Sequence, residues 1–298
     1  MHLTETMLGA IKRWAHFTPT VERVFIFGSY ARGNATENSD LNLAIECAQV
    51  SGNSLSEIII NRSTWSEELT RAVGVPVDLN STDNPSAPFR DELKRAGALV
   101  YDRTRAAGVR DVARRLASGY LAAAVGHHVA TNPHAINLLP PAGRVGEDPS
   151  GEIQRKDGTS ISLNMRHYLD LGREDFSMRG EFIRSWAAGA LISLGDALQG
   201  AGYFDHAAVL EMVYHLRNGV AHGNRFNIDS RGKKRLDLYP AHTRGAAIKG
   251  ILQTDFEITS ETCGAVLFDF LKGADLIDIF QSVEVHLSKL SGTWTDGI

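Results

Sequence analysis

The stretch FGSYARGNATENSDLNL, residues 27–43, decides how the chain is read. The residues before it, VERVFIF (21–27), are rich in β-branched and aromatic types and predict a strand. That strand stops at Gly28, where the chain must turn sharply, and Ser29 opens a short helix. A glycine lets backbone approach a phosphate, and free amides at a helix start favour an anion. Asp40 follows eleven residues after Ser29, with Asn42 two further on. SDLNLAIE (39–46) alternates apolar and polar residues as a half-buried strand does, so residues 40 and 42 face one side. Asp78 lies in another predicted strand, VPVDLN (75–80), where it can complete a three-residue site.

Working outward, helices are expected over 3–15, 54–73 and 88–97, and a last strand over ALVYD (98–102). Helix and strand alternate four times and close an α/β unit near residue 103. The rest reads differently. A long helix is expected over 104–130, and Asp157-Gly158 marks a turn between two short polar strands. Further helices are expected at about 180–200 and 205–222. A basic, turn-rich segment covers 223–262, and an apolar helix spans 264–287. The fold class is therefore α+β, with an α/β domain over 1–103 followed by a mainly helical domain with insertions over 104–298.

The polar residues at 28–78 suit two-metal phosphoryl transfer. Carboxylates hold two Mg²⁺ ions that bind a triphosphate, and a third carboxylate helps activate the incoming hydroxyl. Gly28-Ser29-Tyr30-Ala31-Arg32-Gly33, Ser39-Asp40-Leu41-Asn42 and the later Asp78 resemble the minimal nucleotidyltransferase (MNT) group of the DNA polymerase beta-like superfamily. The resemblance covers roughly residues 1–103. It implies ATP and Mg²⁺ as cofactors, with Gly28, Ser29 and Arg32 on the nucleotide and Asp40, Asn42 and Asp78 as catalytic metal ligands. One departure matters: the group has a second Asp where this chain has Asn42. An amide offers a neutral oxygen and removes one negative charge beside two dications. Weak or absent transfer is expected. Two origins fit, a natural pseudoenzyme that still binds nucleotide or a deliberate change that traps an inactive state.

A second constellation ends the helix over 205–222. In HLRNGVAHG (215–223), Asn218 and His222 are i and i+4 and share a face, and the Arg217 side chain is long enough to reach round. Arginine can clamp a scissile phosphate, and histidine titrates near neutrality, suiting it to general acid–base work on a 2′-hydroxyl. No metal is needed, and the product is a 2′,3′-cyclic phosphate. The bland alternative is a helix end with a favourable His in its last turn. The segment looks like the Arg-Asn-x₃-His motif of HEPN domains. That resemblance implies a metal-independent endoribonuclease that works as a homodimer. It also implies a toxin–antitoxin or antiviral-defence setting, in which MNT proteins transfer AMP to a partner protein. The usual acceptor, a Tyr two residues after the His, is Asn224 here.

Net charge is −4, from 31 basic and 35 acidic residues, which excludes a chain that is basic throughout but leaves room for a local patch. Arg225, Arg231, Lys233, Lys234 and Arg235 form the densest basic run, expected either to touch RNA backbone or to be a solvated hairpin tip. The arginines at 103–115 read as a solvated helix face. His127, His128 and His134 lack a carboxylate or Cys at metal-ligand spacing and read as structural or groove residues. Trp186, Leu191, Leu194, Phe268 and Leu276 read as core or interface. Two lone cysteines, Cys47 and Cys263, exclude a disulfide framework. No apolar run approaches the roughly 18 residues of a membrane span, and the start lacks a signal-peptide pattern, so a cytoplasmic protein is expected.

The expected partners are a nucleoside triphosphate, RNA, a protein acceptor of AMP and a second copy of the chain, with no membrane. The competing reading is a small-molecule adenylyltransferase, similar to the aminoglycoside-modifying enzymes, with its substrate between the domains. A third is a nucleotide-sensing module without turnover.

Overall fold

The computed structural model describes residues 2–48, 54–132, 134, 137, 150–245 and 255–293. Helix α1 (Glu5–Phe17) starts where the Thr4 hydroxyl accepts the Met7 amide at 3.2 Å. Strand β1 (Val21–Phe27) then enters a four-stranded sheet. It pairs antiparallel with β2 (Leu41–Cys47) on one side and β4 (Ala98–Asp102) on the other. β2 pairs parallel with the edge strand β3 (Val77–Ser81), giving the order β3-β2-β1-β4. A parallel pair needs a crossover, and α3 (Ser54–Val73) supplies it. The short α2 (Gly28–Ala31) and α4 (Ala87–Ala96) complete this part.

The period-2 pattern of β2 fixes which way the site faces. Leu41, Leu43 and Ile45 are fully buried in one cluster with Ile11, Ile26, Leu69 and Leu79. Each such side chain contributes about 1.5–3 kcal/mol by leaving water. A one-residue slip would move all three to the opposite face, so burial locks Asn42 onto the other side.

The junction carries more structure than its charge pattern suggests. Buried Asp102 accepts the amides of Arg105 (2.9 Å) and Ala106 (3.0 Å), ending β4 and starting α5 (Thr104–Thr131). Burial pushes its carboxyl pKa up, with those two amides opposing. Arg103 is not solvated. Its guanidinium donates to the Ala15 carbonyl at 2.6 Å and the Thr18 carbonyl at 3.0 Å, satisfying the end of α1.

A second buried cluster follows, built from α5, α7 (Phe176–Gly200), α8 (Ala208–Ala221) and α11 (Gly273–Leu290). The expected polar hairpin is β5 (Ser150–Gln154) and β6 (Ser160–Asn164), with Gly158 at φ 85°. Three features depart from the sequence reading. The region before α7 contains α6 (Met165–Glu174), capped by Asn164, with no buried residue and hence no core stripe to announce it. The supposed hairpin tip is a helix, α9 (Ser230–Leu238), started by Asp229, whose carboxylate accepts the Arg231 and Gly232 amides. β7 (Ala241–His242) and β8 (Glu257–Ile258) follow it. The apolar helix over 264–287 is two pieces, α10 (Leu267–Phe270) and α11, separated by extended backbone at Leu271 and Lys272. The Asp275 carboxylate accepts the Lys272 amide at 2.7 Å and restarts the helix. Leu191, Leu194 and Leu276 are core residues. Among the described residues, no helix is long and apolar enough to cross a membrane.

Candidate functional site

The turn at the end of β1 has the geometry the motif needs. Gly28 adopts φ 74°, a left-handed conformation that side chains rarely take. A Cβ there would also lie 3.1 Å from Asn42 Nδ2. Phe27 pairs with Asn42, and Asn42 pairs in register with Asp78. In-register neighbours point to the same face, so Gly28, Asn42 and Asp78 meet at one end of the sheet. Asp40 is exposed just before β2, and its carbonyl accepts the Asn42 amide group at 3.2 Å.

Two residues of this site have partners that sequence reading missed. Asp78 Oδ1 accepts Arg62 Nη2 of α3 at 2.6 Å, and its Oδ2 accepts Asn80 Nδ2 at 3.3 Å. Arg32 is paired with Glu92 of α4, which also holds Arg95 at 2.6 Å. The Glu92 carboxyl lies below its usual range because Arg95 hydrogen-bonds it, with Arg32 adding to the effect. Nothing in the motif spacing points to Arg62 or Glu92, because both lie on helices more than fifteen residues from their partners.

This donor set does not fit a two-metal centre. Among the described residues, no group of three His, Cys, Asp or Glu side chains could hold a metal ion. The third position is the neutral Asn42, and one of the two carboxylates already holds a guanidinium.

The second constellation lies at the end of α8. Arg217 donates Nε (3.1 Å) and Nη2 (2.8 Å) to Asp196 of α7, and Nη1 reaches Asn218 Oδ1 at 3.4 Å. Its stem presses on α7: a Cβ on Gly195 would stand 2.5 Å from Arg217 Cγ. His222 is the exposed C-cap of α8, its amide bonded to the Asn218 carbonyl at 3.1 Å. The Asp229 carboxyl is held below the usual range first by the Gly232 amide, with His222 a smaller contribution.

The basic run divides. Arg231, Lys233 and Lys234 are exposed on α9, and Arg225 is exposed with its guanidinium on the Gly264 carbonyl at 3.0 Å. Arg235 does not belong with them. It donates to the fully buried Glu211 through Nε (2.5 Å) and Nη2 (2.8 Å), and lies over the rings of Tyr214 (4.1 Å) and Tyr203 (4.8 Å). His206 completes the node, 2.7 Å from Glu211 and stacked on Tyr239. Burial pushes the Glu211 carboxyl up, but these hydrogen bonds outweigh it and leave the pKa lowered. Arg235 is therefore a structural cation. Next to this node, burial drives His215 down to about 4.

Comparison with known proteins agrees with the first half of this description. Residues 10–106 match the family model described as Polymerase beta, Nucleotidyltransferase. The chain thus carries an N-terminal domain of the polymerase-beta-like nucleotidyltransferase type, followed by a mainly helical bundle. Among solved structures, one described as a crystal structure of the toxin-antitoxin with AMP-PNP is similar over 33% of this chain and 74% of that chain. The two are 23% identical, with a TM-score of 0.27. No curated protein matches.

Proposed function

We propose that the chain joins a nucleotide-binding, degenerate nucleotidyltransferase domain to a HEPN-like helical domain that cuts RNA, in a prokaryotic toxin–antitoxin or phage-defence setting. The observation that carries the first half is the meeting of Gly28, Asn42 and Asp78 at one end of the sheet. In this reading the Gly28-Ser29 turn receives the phosphates of ATP. Asp40 and Asp78 supply negative charge, and Asn42 leaves the site one charge short for transfer. The domain then either restrains the RNase or modifies protein or RNA weakly.

In the helical half, Arg217 exchanges Asp196 for a scissile phosphate and His222 takes the proton of the 2′-hydroxyl as its oxygen attacks phosphorus; the P–O5′ bond breaks, the 5′-oxygen leaves with a proton from water, and Asn218 orients the pair. The exposed Arg231, Lys233 and Lys234 of α9 supply further positive charge for an RNA backbone. Two copies would bring two such motifs to one groove.

The chain passes from the sheet into the helical part where Arg23 pairs with Asp102, about 17 Å of extended strand from the Gly28 turn. The test is cleavage of end-labelled RNA in EDTA by the purified chain. Products with 2′,3′-cyclic phosphate ends, lost in Arg217→Ala and His222→Ala and altered in rate by ATP, are expected. Cleavage unchanged in both variants would overturn the assignment.

A further inference from the structure

Tyr120, on α5, has its side chain almost wholly buried, with 4% of the residue exposed and its ring against Trp186 at 5.1 Å. Its hydroxyl has no hydrogen-bond partner among the described residues. The hydroxyl stands at the first residue of α11: a Cβ on Gly273 would lie 2.4 Å from it. Glycine at 273 is thus what leaves room for an unpaired donor against a helix start. That helix has 18 residues, so its N-terminal end presents amides and a partial positive charge. The Lys272 amide is taken by Asp275 and the Leu276 amide by the Lys272 carbonyl at 3.3 Å, which leaves the amides of residues 273 and 274 at the open end.

Both groups open onto a cavity of about 340 Å³ between α5, α7 and the α10–α11 break. Its floor is apolar, including Ile183, Phe268 and Leu276, and its wall carries three basic side chains, His127, Arg184 and Lys272. No carboxylate lines it. Arg184 is tied only loosely, to Glu181 at 3.8 Å. This is the composition of a small-molecule site, apolar over most of its surface with a few convergent polar groups. Each polar side chain can donate a hydrogen bond, with the Lys272 ammonium also donating to the Phe268 carbonyl at 3.1 Å. They ask for an acceptor with negative charge, and the floor asks for an apolar body attached to it.

We propose that this cavity binds a small amphipathic anion, its acidic head on the Tyr120 hydroxyl and the first amides of α11 and its apolar body on the floor. None of its lining residues belongs to either candidate site, so the proposal does not depend on either activity. Carboxylate and phosphate share this chemistry, and the test separates them. Calorimetric titration of the full chain with octanoate, octyl phosphate, octanol and octylamine reads it directly. One of the two anions is expected to bind at least about tenfold more tightly than octanol, the range of a charge-assisted hydrogen bond. Tyr120→Phe should weaken the anion by about the same factor with little change for octanol. Gly273→Ala should abolish binding. Because its new methyl meets the Tyr120 oxygen, the pair Tyr120→Phe with Gly273→Ala is the companion variant, folded and unable to bind. Equal affinity for octanol and both anions, or unchanged anion affinity in Tyr120→Phe, would overturn the proposal.

Discussion

Arg62 Nη2 stands 2.6 Å from Asp78 Oδ1, so a guanidinium occupies the carboxylate that faces Asn42 across two parallel strands. Two losses therefore separate this site from a metal-binding one: the missing charge at 42 and the internal cation at 62. Arg62→Ala together with Asn42→Asp should raise Mn²⁺ affinity by an order of magnitude or more over either single change, read by the loss of the free Mn²⁺ EPR signal. The pair is exposed and worth at most about 1 kcal/mol, so Tm should move little in Arg62→Ala. Single changes that each restore full binding would show that the two losses do not act together.

Gly195 lets α7 and α8 approach, because any side chain there meets the Arg217 stem rather than its mobile tip. Gly195→Ala should cost about 1–3 kcal/mol from overpacking. It should also break the Arg217–Asp196 pair. Urea denaturation measures the first effect, and RNA cleavage, expected to fall severalfold, measures the second.

The α9 basic run separates into two kinds of cation. Charge reversal of Lys233 and Lys234 should weaken RNA binding and lower its salt slope, with stability unchanged. Arg235→Ala leaves Glu211 buried without its main partner and should cost about 3–5 kcal/mol. Thermal unfolding beside filter binding distinguishes them. Equal effects on Tm from both positions would contradict the assignment.

His215 is buried, its Nε2 has no partner among the described residues, and burial lowers its pKa from 6.5 to about 4. Between those values the unfolded chain takes up a proton that the folded chain refuses. Stability therefore rises with pH through that window and is lost as pH falls through it, by about 3 kcal/mol in total. His215→Leu should flatten the urea midpoint between pH 6.5 and 4 and leave neutral-pH stability unchanged or higher.

The parts legible in the sequence are those with a strong local signal. The β-rich run stopped by Gly28 and the alternation through Leu41, Leu43 and Ile45 place β1, β2 and the orientation of Asn42 without any long-range information. The Asp157-Gly158 turn is equally local. α9 was hidden because its residues look like a charged loop, and only the Asp229 cap distinguishes it. The break before α11 was hidden because apolar residues run through it, while the Asp275 contact that restarts the helix is one polar bond. In the site, the partners Arg62, Glu92, Asp196 and Glu211 come from other elements of the fold. A run of basic residues gives no sign that its fifth member, Arg235, points inward to a carboxylate 24 positions away.

The Gly28–Asn42–Asp78 end is expected to bind nucleotide and to lack only the right charge for transfer. The measurement is incubation of the wild-type chain and the double variant Asn42→Asp with Arg62→Ala with radiolabelled ATP, Mg²⁺ and RNA, with bound and transferred label counted separately. Label bound by both proteins, but transferred to protein or RNA only by the double variant, is the predicted result. No bound label in either protein, or transfer by the wild type equal to that by the double variant, would contradict it.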